Sequence, residues 1–201
     1  MIAIIDYDAG NIKSVEKAAQ FLGHECVVTR DAGIIKNADH VILPGVGAFG
    51  DAVKKLEDYG LVSVIKEACS SGVPFLGICL GLQLLFDCSE EAPGVKGLGI
   101  LKGSIKRFPG KTGLKVPNIG WNSLSLKGNG RLFEGIEDGS FVYFVHSYYL
   151  DAEDKDIVKA SIDYEVSVDA SIESGNIFAC QFHPEKSSDI GLKILENFLN
   201  V

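Results

Sequence analysis

The sequence predicts an α/β fold in which a mostly parallel central sheet is covered by helices on both faces. In the first half of the chain, short apolar runs typical of buried strands alternate with segments whose apolar residues recur at helical spacing. This alternation is typical of βαβ units, whose strands are parallel. Beyond about residue 94, glycines and short β segments dominate, which predicts a β-rich second half.

The first half is predicted to contain four strands and at least three helices. Apolar residues at positions 12, 15, 18, 19 and 22 lie on one helical face, and Asn11 stands where a capping side chain is expected. Gly60 separates two further helices. Strands are therefore expected over 2–5, 25–29, 40–43 and 73–78, and helices over 12–22, 48–56 and 61–70.

The second half is predicted to be built from strands and turns and to end in a helix. Strands are expected over 141–146, 157–162 and 176–182, a hairpin turn at 128–130, and an amphipathic helix over 189–200. No internal repeat or long linker interrupts the sequence, so we expect residues 1–201 to form one domain. In open α/β sheets, ligands bind beyond the carboxyl ends of the parallel strands.

Composition excludes several classes of function. A net charge of −8 argues against a nucleic-acid or anionic membrane surface. The apolar start meets Asp6 at once, so no signal peptide is expected, and the uncharged stretch 68–86 is too interrupted by serine, glycine and proline to predict a membrane span. The five cysteines are odd in number and lack C-x-x-C spacing, which indicates reduced thiols in a cytoplasmic protein. We expect no metal and no cofactor.

The most informative motif places Cys79 between a predicted strand and helical sequence. Gly77 and Gly81 stand two residues before and after it, which gives the G-x-nucleophile-x-G pattern of a sharp strand-to-helix turn. Glycine is needed there because side chains would collide with neighbouring elements. Such a turn presents the sulfur above the sheet, beside the free N–H groups at a helix start. Cys79 is therefore a candidate nucleophile.

A second motif provides a partner for this thiol. His183-Pro184-Glu185 follows the last predicted strand, and Pro184 requires the chain to leave the sheet there. His183 and Glu185 are then expected at the same rim of the sheet as Cys79. A histidine can accept the thiol proton, and a carboxylate two residues on can orient the imidazole. The two motifs together predict a Cys79–His183–Glu185 triad.

The loop after the third strand provides candidate oxyanion donors. Pro44-Gly45-Val46-Gly47 lies at the predicted rim of the sheet, and its glycines allow close approach of the backbone to a substrate. N–H groups of Val46 and Gly47, with that of Leu80, are expected to bind an oxyanion. The loop lacks the lysine of a phosphate-binding P-loop.

These motifs together resemble the class I, triad-type glutamine amidotransferase family. The elbow Gly-Ile-Cys-Leu-Gly with Gln83, and the His-Pro-Glu motif, carry this resemblance. Across the rest of the chain, the segments Gly120-Trp121-Asn122, 143–148 and His183 to Ser187 are similar to the glutaminase subunits of imidazole glycerol phosphate synthases. The resemblance spans nearly the whole chain and implies a flavodoxin-like amidotransferase fold.

The resemblance implies that Cys79 attacks the carboxamide of glutamine, that His183 protonates the departing ammonia and then activates water, and that Glu185 orients the imidazole. It also implies the residues that bind glutamine, with side-chain contact expected from Gln83 and backbone contact from the strand around His146, whose own side chain is expected to be packed. The expected glutamine-binding residues are Gly45, Gln83, His146, Ser147 and Tyr148.

A separate acceptor for ammonia is also implied by the resemblance. Ammonia released into water is protonated, and the chain has no predicted second domain to receive it. The expected partner is a barrel-fold cyclase subunit, which would form a heterodimer with this chain and use the ammonia to make imidazole glycerol phosphate and aminoimidazole carboxamide ribotide. Asn11, Trp121, Tyr143 and Lys186 are the interface candidates. Asp8-Ala9 departs from the family pattern of the first loop and affects the expected partner contacts.

Three other functions remain open at this stage. The first is a glutaminase subunit of the anthranilate or aminodeoxychorismate type, against which Trp121 and Lys186-Ser187 argue. The second is a cysteine hydrolase of the DJ-1-like or intracellular peptidase-like kind, which would not need Gln83 or a separate acceptor. The third is a non-catalytic regulatory binding module, in which the loss of a triad residue would be expected.

Overall fold

The computed structural model describes residues 1–8, 10–111 and 113–201. Its strands are β1 (Ile2–Ile5), β2 (Cys26–Thr29), β3 (His40–Leu43), β4 (Phe75–Ile78), β5 (Cys88–Ser89), β6 (Gly103–Arg107), β7 (Asn118–Ser123), β8 (Ser125–Leu126), β9 (Phe141–His146), β10 (Tyr148–Ala152), β11 (Val158–Tyr164), β12 (Val166–Ser174) and β13 (Ile177–Cys180). Its helices are α1 (Ile12–Phe21), α2 (Ala32–Lys36), α3 (Phe49–Asp58), α4 (Leu61–Ser70), α5 (Leu80–Leu84) and α6 (Ser188–Leu199).

A central eight-stranded sheet has the order β2-β1-β3-β4-β13-β12-β11-β8. The five strands from β2 to β13 pair in parallel, and β12, β11 and β8 continue the sheet antiparallel. β10, β6 and β5 form a three-stranded sheet, and β7 pairs with β9. The predicted fold class is confirmed. The order brings the carboxyl ends of β3, β4 and β13 together, although β13 lies about a hundred residues after β4 in the chain.

The core lies in two layers, one on each face of the central sheet. Alternate residues of β1 belong to opposite layers, with Ala3 and Ile5 on one face and Ile2 and Ile4 on the other. Helices α3 and α4 pack on the first face, and α1 and α6 pack on the second. A strand covered on both faces must be apolar at every position, which explains the continuous apolar runs of the first half.

Most predicted elements lie within two residues of their observed bounds, two expectations are wrong, and some elements were not predicted. The turn at 128–130 does not join two strands, since β8 ends at Leu126 and residues 131–133 form a 3₁₀ turn. Helix α2 was not predicted because it spans only five residues. Asn11 precedes α1 in a left-handed conformation and makes no side-chain capping bond. Within the described ranges, no helix is long and apolar enough to cross a membrane.

Candidate active site

Cys79 lies in a strained turn between β4 and α5. Its φ of 54° and ψ of −107° are unusual for a residue with a side chain. The backbone N–H of Cys79 donates to the Cys180 carbonyl at 2.8 Å, which fixes the turn to β13. A Cβ atom on Gly81 would lie 1.9 Å from the Leu43 carbonyl oxygen, and one on Gly77 would lie 2.8 Å from the Gly81 carbonyl oxygen. Both elbow glycines are therefore required by close backbone packing, as the motif predicts.

His183 and Glu185 form a buried pair directly after β13. Nδ1 of His183 lies 2.7 Å from Oε1 of Glu185, and both side chains are almost fully buried. Since a carboxylate only accepts, Nδ1 carries the hydrogen of this bond. Asn11 Nδ2 donates to the same Oε1, which ties the first loop to the pair. Nε2 of His183 makes no hydrogen bond among the described residues, so it is the ring nitrogen left for proton transfer.

The charges around His183 favour its protonated form. Burial lowers the pKa of this imidazole, but its interactions with Cys79 and Glu185 outweigh burial and raise the pKa to about 9. The imidazolium is therefore held between the two groups that would carry negative charge. This arrangement suits a thiolate nucleophile whose histidine later gives its proton to a leaving group.

His146 has the opposite character. Burial lowers the pKa of its imidazole to about 4, so the ring is neutral near pH 7. Nδ1 lies 2.9 Å from the Tyr148 carbonyl, which can only accept, and Nε2 therefore accepts from Asn118 Nδ2 at 3.2 Å. Both ring nitrogens are satisfied, which agrees with the prediction that this side chain is packed rather than reactive.

A cavity of about 450 Å³ opens above Cys79. It brings together most of the predicted oxyanion and glutamine-binding residues. Gly45 does not line it, because Gly45 packs beneath the rim against Tyr7 and Leu80. Its lining residues are Val46, Gly47, Cys79, Leu80, Gln83, Glu91, Pro117, Val145, His146, Ser147, Tyr148 and Lys186.

One of the three predicted oxyanion donors is not free in this arrangement. The Leu80 N–H donates to the Gly45 carbonyl at 3.3 Å, so it is already occupied. Gly47 has a φ of 110°, a conformation that glycine adopts easily and other residues rarely do. Beside this loop, Tyr7 has a buried hydroxyl with no hydrogen-bond partner among the described residues. Burial and the nearby Cys79 raise the pKa of Tyr7, which keeps the hydroxyl protonated.

A chain of amides connects the cavity to Cys79. Gln83 Nε2 donates to the Tyr148 carbonyl at 3.2 Å and to Gln181 Oε1 at 2.9 Å. Gln181 Nε2 in turn lies 3.6 Å from Cys79 Sγ. Both hydrogens of Gln83 Nε2 are therefore used within the protein, and only its Oε1 remains to bind a ligand.

Comparison with known proteins identifies the family. A model described as glutamine amidotransferase class-I matches residues 3–201. The chain belongs to the class-I glutamine amidotransferase family. Its relatives include an imidazole glycerol phosphate synthase subunit HisH from Bacillus cereus, 52% identical over 201 residues and covering 100% of this chain and 95% of the relative. A HisH subunit from Aquifex aeolicus is 52% identical over 196 residues and covers 97% and 94%.

Solved structures agree with this amidotransferase fold. The structure of PurLQS from Thermotoga maritima aligns with a TM-score of 0.76 at 21% identity, covering 99% of this chain and 97% of that chain. A glutaminase domain of Trypanosoma brucei CTPS, with bound acivicin, aligns with a TM-score of 0.67 at 14% identity, covering 99% and 93%. At these identities the likeness concerns the fold alone. The family resemblance predicted from the motifs is confirmed by the family model and the HisH relatives.

The interface candidates of this amidotransferase lie around the buried pair. β7 and β9 present an apolar face, on which Trp121 pairs with Tyr143 and Ile119 pairs with Val145. Trp121 is 50% exposed, and its ring meets that of Tyr143 edge to face at 6.1 Å. The backbone carbonyl of Tyr143 accepts from the His183 N–H at 2.9 Å, so this face adjoins the His183–Glu185 pair. Lys186 is exposed at the cavity rim.

Asn11 and the first loop are placed differently from the expectation. The Asn11 side chain is directed inward to Glu185, and the partner contact expected of it stays a prediction. Asp8 accepts hydrogen bonds from Arg30 and Tyr59, and Lys55 Nζ donates to its backbone carbonyl at 3.0 Å. Ala9, the other half of the departure from the family pattern, lies outside the described residues.

Sequence reasoning missed three polar residues of this site. Gln181 is fully buried beside Cys79, Asn118 Nδ2 donates to Nε2 of His146, and Glu91 lines the cavity while its Oε2 accepts from the Phe49 N–H at 2.8 Å. The isolated polar Gln181 within an apolar strand sequence is the one signal that could have indicated its role. Asn118 and Glu91 stand in segments without a recognisable motif.

Proposed function

We propose that this chain is the glutaminase subunit of an imidazole glycerol phosphate synthase in histidine biosynthesis. Its reaction is hydrolysis of glutamine to glutamate and ammonia. The observation that carries the proposal is the strained Cys79 elbow, which opens on the cavity and stands beside the His183–Glu185 pair. The 52% identity to HisH subunits supports the choice among amidotransferases.

The proposed reaction begins with attack of the Cys79 thiolate on the carboxamide carbon of glutamine. The carbonyl becomes an oxyanion, and His183 Nε2–H gives its proton to the nitrogen as the carbon–nitrogen bond breaks. Ammonia leaves and a γ-glutamyl thioester remains on Cys79. His183 then takes a proton from water, the resulting hydroxide attacks the thioester, and glutamate departs as the thiolate re-forms. Glu185 holds the imidazole with Nδ1–H directed away from the reaction.

The oxyanion is proposed to bind the N–H of Leu80 and an N–H of the Val46-Gly47 segment. For this to occur, the hydrogen bond that the Leu80 N–H donates to the Gly45 carbonyl at 3.3 Å must break. Rotation of a peptide in this loop would exchange a carbonyl for an N–H, and glycine makes such a rotation cheap. We therefore propose that the site rests in a form of low activity and that partner binding completes the oxyanion hole.

Glutamine is proposed to lie in the cavity with its carboxamide over Cys79. Gln83 can offer only its Oε1, which accepts from an ammonium or amide N–H and would repel a carboxylate. His146, Ser147 and Tyr148 line the same cavity, and we propose that their backbone groups supply further polar contacts. Glu91 adds a negative charge that suits the α-ammonium of the substrate.

The acceptor of ammonia is proposed to be a separate barrel-fold cyclase subunit, bound as a heterodimer. Trp121, Tyr143 and Lys186 would contact it, and Asn11 would transmit that contact to Glu185. Exposed aromatic and apolar side chains on the β7–β9 face are typical of a protein interface. We place the complex in the cytoplasm, without nucleic acid or membrane as a partner.

The test is glutamate release from glutamine by the purified chain, alone and with a histidine-pathway cyclase carrying its ribonucleotide ligand. The proposal predicts a rate that rises sharply with the liganded cyclase and is lost in Cys79→Ala. Cys88→Ser, which changes an exposed cysteine away from the cavity, serves as the matched control and should keep the full rate. A complex that forms and releases no glutamate would contradict the proposal.

A further inference from the structure

We infer that Gln181 activates Cys79 by donating a hydrogen bond from its side-chain amide to the thiolate. Gln181 is fully buried on the segment that follows β13, and its Nε2 lies 3.6 Å from Cys79 Sγ. The inference rests on the proposed nucleophilic function of Cys79. It adds to the triad a neutral donor that neither the motifs nor the family assignment supply.

The orientation of the Gln181 amide follows from its surroundings. The Tyr148 carbonyl can only accept, so the atom of Gln83 that faces it at 3.2 Å is Nε2. The same Nε2 lies 2.9 Å from the Gln181 side chain, which must therefore present its oxygen there. The nitrogen of Gln181 is then the atom that faces Sγ. One backbone carbonyl thus fixes two successive amides and directs an N–H to the nucleophile.

The Tyr148 carbonyl also fixes the histidine that lines the cavity. It accepts from Nδ1 of His146 at 2.9 Å as well as from Gln83. The position of this carbonyl, at the start of β10, is thus coupled to the donor at Cys79 through Gln83 and Gln181. Gln83 also lines the substrate cavity. A ligand in the cavity therefore contacts the first of the two hydrogen-bonded amides that lead to the sulfur of Cys79.

An N–H donor stabilises a thiolate more than a thiol, since the charged acceptor makes the stronger hydrogen bond. Other ionisable groups also act on the sulfur. His183 interacts with it directly, and Tyr7 and Cys180 lie close enough to feel its charge. Glu185 acts through His183. None of these groups is changed by substitution of Gln181, so a changed reactivity of Cys79 can be assigned to the lost donor.

The experiment is the pH profile of Cys79 alkylation by iodoacetamide, followed by mass spectrometry of the peptide that contains Cys79. Gln181→Met keeps the length of the side chain and removes the amide, and Gln181→Asn keeps the amide but withdraws it by one methylene. We expect both to move the midpoint of the profile, which belongs to the Cys79–His183 pair, about one pH unit upward. At a pH below the midpoints of both the variant and the unchanged protein, Cys79 of the variant should be alkylated about tenfold more slowly.

Ser171→Ala is the matched control. Ser171 is also fully buried, on the neighbouring strand β12, and its Oγ donates to the Ala179 carbonyl at 2.8 Å. The Ser171→Ala substitution removes one buried hydrogen bond that does not involve Cys79, so its alkylation profile should match that of the unchanged protein. Exposed Cys88 provides an internal reference for reagent and pH in every sample.

Two outcomes would overturn the inference. One is an unmoved midpoint in either Gln181 variant whose thermal unfolding shows a folded protein. The other is an equal shift in Ser171→Ala, which would indicate general loosening of the sheet. Alkylation needs neither glutamine nor a partner, so it is independent of the proposed function. If Cys79 is alkylated as expected but the protein releases no glutamate with the liganded cyclase, the proposed function is contradicted and the inference about Gln181 is retained.

Discussion

Replacement of Gly81 by alanine tests the packing that creates the nucleophile elbow. The added Cβ would lie 1.9 Å from the Leu43 carbonyl oxygen, whereas an ordinary contact begins at 3.4 Å. The missing distance of about 1.5 Å must come from movement of the backbone, because the added Cβ on α5 meets a backbone carbonyl at the end of β3 and not a flexible side chain. No rotamer change can relieve it.

The expected cost follows from two opposing effects. Overpacking of a well-packed interior costs about 1 to 3 kcal/mol, and a clash with backbone in the central sheet falls at the upper end. Alanine in place of glycine returns about 1 kcal/mol of helix propensity. The free energy of unfolding should therefore fall by about 2 kcal/mol. For a chain of this size the melting temperature should fall by about 4 to 8 °C.

Thermal unfolding followed by circular dichroism measures this effect, with glutamate release in parallel. Gly50→Ala is the matched control, since its Cβ would lie 3.2 Å from the Ala92 Cβ and needs only a small adjustment. We expect the control to melt within about 2 °C of the unchanged chain. Gly81→Ala should lose activity as well as stability, because the shift moves the Leu80 N–H away from the Val46-Gly47 segment with which it is proposed to form the oxyanion hole. A Gly81→Ala variant with an unchanged melting temperature and an unchanged rate of glutamate release would show that the elbow tolerates a side chain here.

Three further predictions concern buried polar groups. Asn11→Ala removes a hydrogen-bond donor to Glu185 and should lower the rate of glutamate release at least tenfold. Asn11→Asp should lower the rate further, because it places a second negative charge beside Glu185. An unchanged rate would show that this contact is dispensable. The pKa of His183 is about 9 when folded and ordinarily 6.5, so its contribution to stability is complete below pH 6.5 and is lost as pH rises through 9. Urea unfolding between pH 6 and pH 10 should show this decline, and His183→Gln should remove it; equal slopes would contradict the pKa. Tyr7→Phe removes a buried hydroxyl that has no hydrogen-bond partner among the described residues, and it should raise the free energy of unfolding by about 1 kcal/mol. A loss of stability would reveal a hydrogen bond to the hydroxyl.

Local patterns were enough to predict the sharp turn at Cys79 and the proximity of His183 and Glu185 to it. The elbow around Cys79 is defined within five residues, because the sterics of one turn require both glycines. His183 and Glu185 are two residues apart and follow a strand end that Pro184 marks. The position of a strand end at the rim of a parallel sheet follows from the fold class, so the sequence alone predicts these side chains near Cys79.

Contacts between distant segments could not be predicted in this way. Asn11 donates to a carboxylate 174 residues away, and Gln83 to an amide 98 residues away. Such bonds depend on how strands from the two ends of the chain are ordered in the sheet. The local sequence at Asn11 predicts a helix cap. In the structure its backbone is left-handed, and its side chain donates to the buried Glu185 instead of capping the helix. The hairpin expected at 128–130 failed for a related reason, since pairing requires a second strand that the chain does not provide there.

The most direct test of the central claim is detection of the covalent intermediate. The chain, in complex with a liganded cyclase and turning over glutamine, would be quenched in acid, digested and examined by mass spectrometry. We expect a γ-glutamyl adduct on the peptide that contains Cys79, absent from Cys79→Ala and present in Cys88→Ser. Glutamate release without an adduct on Cys79, or with the adduct on another cysteine, would contradict the assignment of Cys79 as the nucleophile.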